Sequence, residues 1–424
     1  MDKTIKRDLY FKIAIFAYMA FLFFEFFGTS IPFKTRVDTN KMGGGGGNII
    51  NQVVYTSIFL ASTISLFVRR LDAIAIIKKE KLLTIFLLWC LLSVIWSYSP
   101  LDTVKRFFRI FTLFTVTLSL LVHTTSTKEI LRYTKPVLYL YVFLSVIVCI
   151  VIPGAKDPTF HTWRGFADHK NLLGQVAVIC TFLSFFIYKM EKGNAKLIAA
   201  TAVLFSLALL FGSRSMTSIS TFLIIMFAGS LISVDEIFKP LGLGRTASVT
   251  LFLFGIGVVL SILLISPEII DTVTEAIGKD PSFSGRTDLW TAMFISISHH
   301  PFLGTGFQAF WSVSPPSEYL EHVYKLFVWI PSESHNSYID ITNQVGFIGL
   351  GIFIIMIFKY FFNLLKLNYP SPWKWFVITA LIISMQESIL FNVGHIVGSM
   401  LTISYLILFA QLWKQDVEYK FVTN

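Results

Sequence analysis

The order of apolar and polar blocks constrains this chain more than any other feature. Runs of 15 to 22 mostly apolar residues follow one another from Leu9 to Ile265, then 266–345 carries none, and three more runs close the sequence. A helix needs about 20 apolar residues to cross the hydrocarbon core. Within lipid only helices and closed barrels satisfy every backbone N–H and C=O. The expected fold is therefore an all-α polytopic membrane protein with about twelve transmembrane helices and a large, partly helical external loop. The twelve candidates are 9–30, 49–68, 81–96, 104–122, 136–152, 171–188, 197–211, 216–232, 248–265, 346–365, 375–392 and 396–413. Three regions result: 1–265 with nine helices, the loop 266–345, and 346–424 with three helices and a tail.

Composition supports this reading. Charged residues make up 14% of the chain and mean hydropathy is +0.69, whereas soluble proteins carry about 25% charged residues. The net charge of +10 comes from Lys and Arg dispersed through short loops. No basic patch interleaved with aromatics stands out, so nucleic acid is not an expected partner. Taking the loops alternately, Lys6, Arg7, Arg69, Arg70, Lys78, Lys79, Lys128, Arg132, Lys189, Lys192, Lys239, Lys359, Lys366, Lys374 and Lys414 collect on one side. Basic loops stay in the cytoplasm, which places both termini there and 266–345 outside. Lys34, Arg36 and Lys41 run against this assignment.

Other features read plainly. Cys90, Cys149 and Cys180 lie in apolar runs without CxxC spacing, as buried thiols do. The first apolar run is long enough to span and lacks a small-residue cleavage site, so no cleavable signal peptide is expected. Pro136 suits the first turn of the fifth helix. Gly43 to Gly47 reads as a flexible linker. Within the large loop, residues 286–298 have helical apolar spacing at 289, 290, 293, 294 and 297, with Ser284 as N-cap and His300-Pro301 as terminator. Such a helix is expected on the bilayer surface against the bundle.

Candidate functional residues gather at the external helix ends. Arg214, in Gly212-Ser213-Arg214-Ser215, either snorkels to the headgroups or holds an anion through its donor fork. Arg286 follows Gly285 at a helix start, another anion-binding context, with Asp288 as an alternative salt-bridge partner. Arg164 binds substrate or ties loops together. Arg106 and Arg109 add positive potential. His335 is a candidate general base, with His299 and His300 as competitors. No paired acidic motif points to a divalent cation, and no cofactor is expected.

Taken together, Gly285-Arg286-Thr287-Asp288-Leu289-Trp290, Pro301-Phe302-Leu303-Gly304-Thr305-Gly306-Phe307, His335-Asn336-Ser337-Tyr338 and Gly346-Phe347-Ile348-Gly349-Leu350 resemble the signature of the O-antigen ligase and polymerase superfamily. The stretch Arg164-Gly165-Phe166 to Asn171-Leu172-Leu173 resembles its upstream loop motif. The resemblance implies a metal-independent inverting glycosyltransferase of the polytopic C type, acting in the bacterial inner membrane. Its donor would be an undecaprenyl-diphosphate-linked glycan and its acceptor a glycan or lipid, among membrane lipids and alongside a chain-length regulator or flippase. Arg214 and Arg286 match the family's diphosphate ligands and His335 its base. Arg164, Asn336, Asp288, Arg106 and Arg109 are further substrate-binding candidates. Some members carry two adjacent histidines where this chain has Ser334-His335. The run Gly306-Phe307-Gln308-Ala309-Phe310-Trp311 resembles exopolysaccharide-type polymerases, which favours a polymerase over a ligase. A transporter is the alternative of another class, against which no internal repeat is evident.

Overall fold

The computed structural model describes residues 3–28, 49–156, 162–238, 286–312, 333–367, 371–392 and 394–423. The elements among them are helices: α1 (Lys3–Phe27), α2 (Ile49–Val68), α3 (Arg70–Lys79), α4 (Lys81–Leu92), α5 (Pro100–Leu121), α6 (Thr127–Val151), α7 (Lys170–Met190), α8 (Gly193–Ser213), α9 (Met216–Phe238), α10 (Arg286–His299), α11 (Ser337–Leu364), α12 (Lys374–Ile383) and α13 (Ile396–Thr423), with short 3-10 turns between some of them. Among the described residues one isolated bridge, Lys156 with Trp163, closes a loop. The chain is an all-α polytopic membrane protein. Seven of the described helices are long and apolar enough to span, and three shorter apolar helices join them. The candidate span 248–265, the Gly43–Gly47 run and Ser284 lie outside the described residues.

Burial orders the bundle. The most apolar window of α13 is 94% buried, against 22% for α2. Helix α13 is therefore the central post, and α2 turns Val53, Leu60, Ile64 and Phe67 outward, as lipid-facing residues do. Near the ends of α4 and α11, Glu80 is buried and paired with Lys359 at 2.5 Å, and it accepts from Tyr405 of α13 at 2.7 Å. Pairing is what makes such a carboxylate tolerable inside the bundle.

Four of the boundaries that depart from expectation do so for a visible reason. Helix α6 begins at Thr127, so Pro136 lies inside it; Ile130, Leu131, Thr134, Val137, Leu138 and Tyr141 form one buried face at helical spacing, and the packing of that face outweighs the lost N–H. Helix α5 starts at Pro100 and carries Asp102, Lys105, Arg106 and Arg109 in its first half. Only its second half, Thr112 to Leu121, is continuously buried. The expected span 375–392 is a helix only to Ile383; Ser384 to Asn392 form irregular turns instead. Gln386, Glu387, Ser388 and Asn392 supply polar groups that an unbroken lipid-facing helix could not satisfy. Finally, α11 starts at Ser337 rather than 346 and is kinked at Gly346 (φ 69, ψ −179).

That kink places the loop motif. Breaking α11 frees carbonyls that must find donors. Thr305 N–H reaches Asn343 O at 2.8 Å, Gly306 N–H reaches Gln344 O at 2.9 Å, and Trp89 Nε1 reaches Val345 O at 2.9 Å. In return Phe347 N–H donates to Pro301 O at 2.7 Å. A Cβ on Gly346 would lie 2.0 Å from Phe302 O. The Pro301–Phe307 segment is thus a backbone plug fitted into the α11 kink, and its glycines serve close approach. Helix α10 packs beside it, with Leu289, Ala292 and Met293 joining Phe310 in a small separate core.

Candidate functional site: an imidazole between two carboxylates

His335 lies in a tight turn just before α11. Its φ of 54 is left-handed, uncommon for a residue with a Cβ, and held only where neighbours over-determine it. Here they do. Ser334 is buried; its hydroxyl donates to Asn336 O at 2.8 Å, its N–H reaches Asp340 Oδ2 at 3.3 Å, and its carbonyl accepts Trp290 Nε1 at 2.9 Å. Trp311 Nε1 fixes Asp340 from the other side at 2.9 Å. Asn336 caps α11, accepting from Tyr338 N–H at 3.0 Å and Ile339 N–H at 3.2 Å. Its amide group serves the fold in this arrangement.

The turn after α12 folds over this one. Ser337 N–H donates to Ser384 O at 2.9 Å, and Ser337 Oγ donates to Glu387 O at 2.7 Å while accepting from Ile389 N–H at 2.8 Å. This docking brings the Glu387 carboxylate, only 3% exposed, to 3.2 Å from His335 Nδ1. Glu333 lies at the same distance from the same nitrogen. Asn171, in the first turn of α7, donates to Glu387 Oε1 at 3.4 Å. One imidazole nitrogen thus faces two carboxylates. A hydrogen on Nδ1 is the one that can bond these carboxylates. Glu333, His335 and Glu387 also present ligand atoms within 4.8 Å of one another, so they are the described residues that could hold a cation.

Further polar groups line the same neighbourhood. His395 feels His169, Glu387, Arg109 and Asp168, and its Nδ1 is buried without a hydrogen bond. Burial, reinforced by His169, pushes its pKa down to about 4 despite the opposing carboxylates, so it is neutral at ordinary pH. His169 is committed to capping α7, its Nδ1 accepting from Leu172 N–H at 3.2 Å.

The other candidates fall as follows. Arg214 is exposed, in left-handed conformation (φ 50) at the α8–α9 break. That break packs on α7, where a Cβ on Gly174 would lie 2.8 Å from Ser215 Cβ. Asn171, three residues before Gly174 on the same helix, reaches Glu387, so two short links join the Arg214 break to the His335 site. Arg164 donates through Nε and Nη2 to Gly154 O at 2.9 and 2.7 Å, tying its own loop. Arg106 donates to Gln308 O. Arg109 stacks over Tyr55 at 5.0 Å. Helix α10 begins at Arg286, one turn before the Trp290 that touches Ser334. The side chains of Arg286 and Asp288 lie outside the described part. His300 bonds Tyr98 OH at 2.8 Å and is not part of the Glu333–His335–Glu387 cluster.

Glu387 and Glu333 are absent from the sequence-based set. A signal existed for Glu387: a carboxylate within a run counted as membrane-spanning is costly and therefore informative.

Fold and site together define a polytopic helical membrane protein with an imidazole–carboxylate centre at one set of helix ends. Comparison with known proteins narrows the class: residues 198–354 match the family described as O-Antigen ligase, a segment containing Arg214, Arg286 and His335 and ending before Glu387. Two relatives agree. The exopolysaccharide production protein ExoQ of Rhizobium meliloti is 29% identical over 50% of this chain and 48% of its own length. The "Putative polysaccharide ligase RP358" of Rickettsia prowazekii is 23% identical over 68% of this chain and 69% of its own. The chain thus spans about half the length of the first relative. The motif resemblance is borne out over residues 198–354, which match that family's description.

Proposed function

We propose that this chain is a glycosyltransferase that moves undecaprenyl-diphosphate-linked glycan on the external face of the bacterial inner membrane, polymerising polysaccharide repeat units. The observation that carries the reading is the 3.2 Å contact of Glu387 with His335 Nδ1. With Nδ1 committed to carboxylate, Nε2 is the nitrogen that takes the acceptor hydroxyl's proton as that oxygen attacks the anomeric carbon. Glu387 stabilises the imidazolium that forms. The diphosphate leaves from the opposite side of the sugar, its growing charge held by Arg214 and Arg286 rather than by a metal. Helix polarity supports an outward site. His335, Asn171, Arg214 and Glu387 cluster at the start of α7 and α11 and the end of α8 and α12, whereas Lys189, Lys192, Lys366 and Lys374 lie at the opposite ends.

A ligase reading, in which finished glycan passes to a lipid or protein acceptor, uses the same chemistry and is favoured by the name of the Rickettsia relative. The lipid-linked glycans of a strain deleted for the gene separate the two. Accumulated single repeat units are expected, and long chains left on the carrier would replace polymerase by ligase. Substrate crossing liposomes that hold the purified protein, without any new glycosidic bond, would remove the enzyme reading altogether.

A further inference from the structure

A buried carboxylate on the first helix serves none of the roles described so far. Glu25, near the end of α1, is 3% exposed. Its oxygens accept Gly394 N–H at 3.0 and 3.2 Å, Ser399 Oγ at 2.5 Å and Tyr55 OH at 3.2 Å. Gly394 has a φ of 105, and a Cβ there would lie 3.0 Å from Arg109 Nη2. Arg109 in turn covers the Tyr55 ring. Glu25, Tyr55 and Arg109 therefore form one buried polar cluster, drawn from α1, α2 and α5, that closes on a backbone amide of the turn 384–395.

That turn carries Glu387. Its front is pinned by Ser337, through Glu387 O, Ile389 N–H and Leu390 N–H. Its middle is pinned by Gln308 Nε2, which donates to Phe391 O at 2.8 Å, and by close approach to α13, where a Cβ on Gly398 would lie 2.0 Å from Ile389 O. Its rear is held at Gly394 by the Glu25 carboxylate. A segment outside regular secondary structure takes its shape from such pins, and removing the rear one loosens the turn behind its Ser337 and Gln308 contacts.

We propose that Glu25 is a positioning residue: its carboxylate holds Gly394, and through the turn 384–395 it keeps Glu387 against His335 Nδ1. The first helix thereby becomes part of the site's support although it touches no reacting group. Buried charge in a membrane bundle is costly, and on this account the compensation is placement of the His335 partner. The inference deepens the proposed transfer reaction and rests on it.

The test uses the purified full chain in detergent micelles, with the lipid-linked glycan fraction extracted from a strain deleted for the gene as substrate. Glu25→Ala is expected to lower kcat by about tenfold or more with KM changed by less than about twofold. The acidic limb of its pH profile should move in the same direction as in Glu387→Gln, towards lower pH, because both weaken the carboxylate contact with the imidazole. Glu25→Gln, which keeps an acceptor for Gly394 N–H, should restore part of the rate. A wild-type rate in Glu25→Ala, or a loss of rate with a wild-type pH profile, overturns the proposal. Should Glu25→Ala fail to fold, Tyr55→Phe and Ser399→Ala carry the test, each removing one donor to the carboxylate; an unmoved pH profile in both overturns it equally. Retained transfer in His335→Ala would instead overturn the underlying reaction, whereas a dead His335→Ala beside a wild-type Glu25→Ala sinks only this inference.

Discussion

Replacing Glu387 by glutamine probes the imidazole–carboxylate pair with the least steric change. The carboxylate is 3% exposed and the imidazole 23%, with 3.2 Å between Nδ1 and Oε2. At that distance and an effective dielectric constant of about 20, opposite unit charges attract by about 5 kcal/mol. Glutamine can still accept the Nδ1 hydrogen, and Glu333 remains at 3.2 Å, so roughly half of that attraction survives. Losing about 2–3 kcal/mol of transition-state stabilisation corresponds to a fall in kcat of about 30- to 160-fold. KM should change little, since the charge matters once the ring is protonated. The assay is single-turnover extension of extracted lipid-linked glycan, resolved by chain length. A Glu387→Gln enzyme within about threefold of wild type would show that the contact has no part in proton transfer.

Three further outcomes follow from the geometry. Gly346→Ala forces a Cβ to 2.0 Å from Phe302 O at a φ of 69; backbone strain of about 1–3 kcal/mol and three endangered backbone hydrogen bonds at about 1 kcal/mol each should lower the apparent Tm in detergent by about 5 °C, and an unchanged Tm would contradict the plug-and-kink account. His395, whose pKa is pushed down to about 4 from 6.5 by burial, contributes stability that is complete above about pH 6.5 and is lost as pH falls through about 4, because the unfolded chain binds that proton first; thermal melts across this window should show a shallower acid loss in His395→Gln, and equal slopes would rule this out. Arg214→Lys keeps the charge and loses the planar fork, so extension should fall by about tenfold or more while protein levels stay constant, and a fully active variant would take Arg214 out of diphosphate binding.

Much of the scaffold was readable from apolar run length, because lipid leaves the backbone few alternatives. The helices at Ile49–Val68, Lys170–Met190 and Gly193–Ser213 fall within a few residues of the sequence boundaries. The helix predicted over 286–298 is present as α10. Hydropathy failed where polar residues interrupt an apolar run for a reason outside that run. Residues 375–392 average as a span, yet Glu387 and its neighbours unwind to meet Ser337 and His335, some 50 residues upstream. Pro136 misled because a local helix-start preference was outweighed by a long packed face. At the site, His335 was legible as a titratable group in a polar loop. The pairing with Glu387 was not, since Glu387 lies 52 positions away and the docking of two turns brings them together. Asn336 shows the converse: it stands within the motif, and the structure uses its side chain as a helix cap.

The most direct measurement is the glycan profile of a deletion strain complemented with His335→Ala, read beside wild-type complementation at matched protein level in the membrane. An imidazole that accepts the acceptor's proton predicts single repeat units on the carrier and loss of long chains, with the variant present in wild-type amount. Long chains at wild-type abundance would contradict a general base at His335, and with it the transfer chemistry assigned to this site.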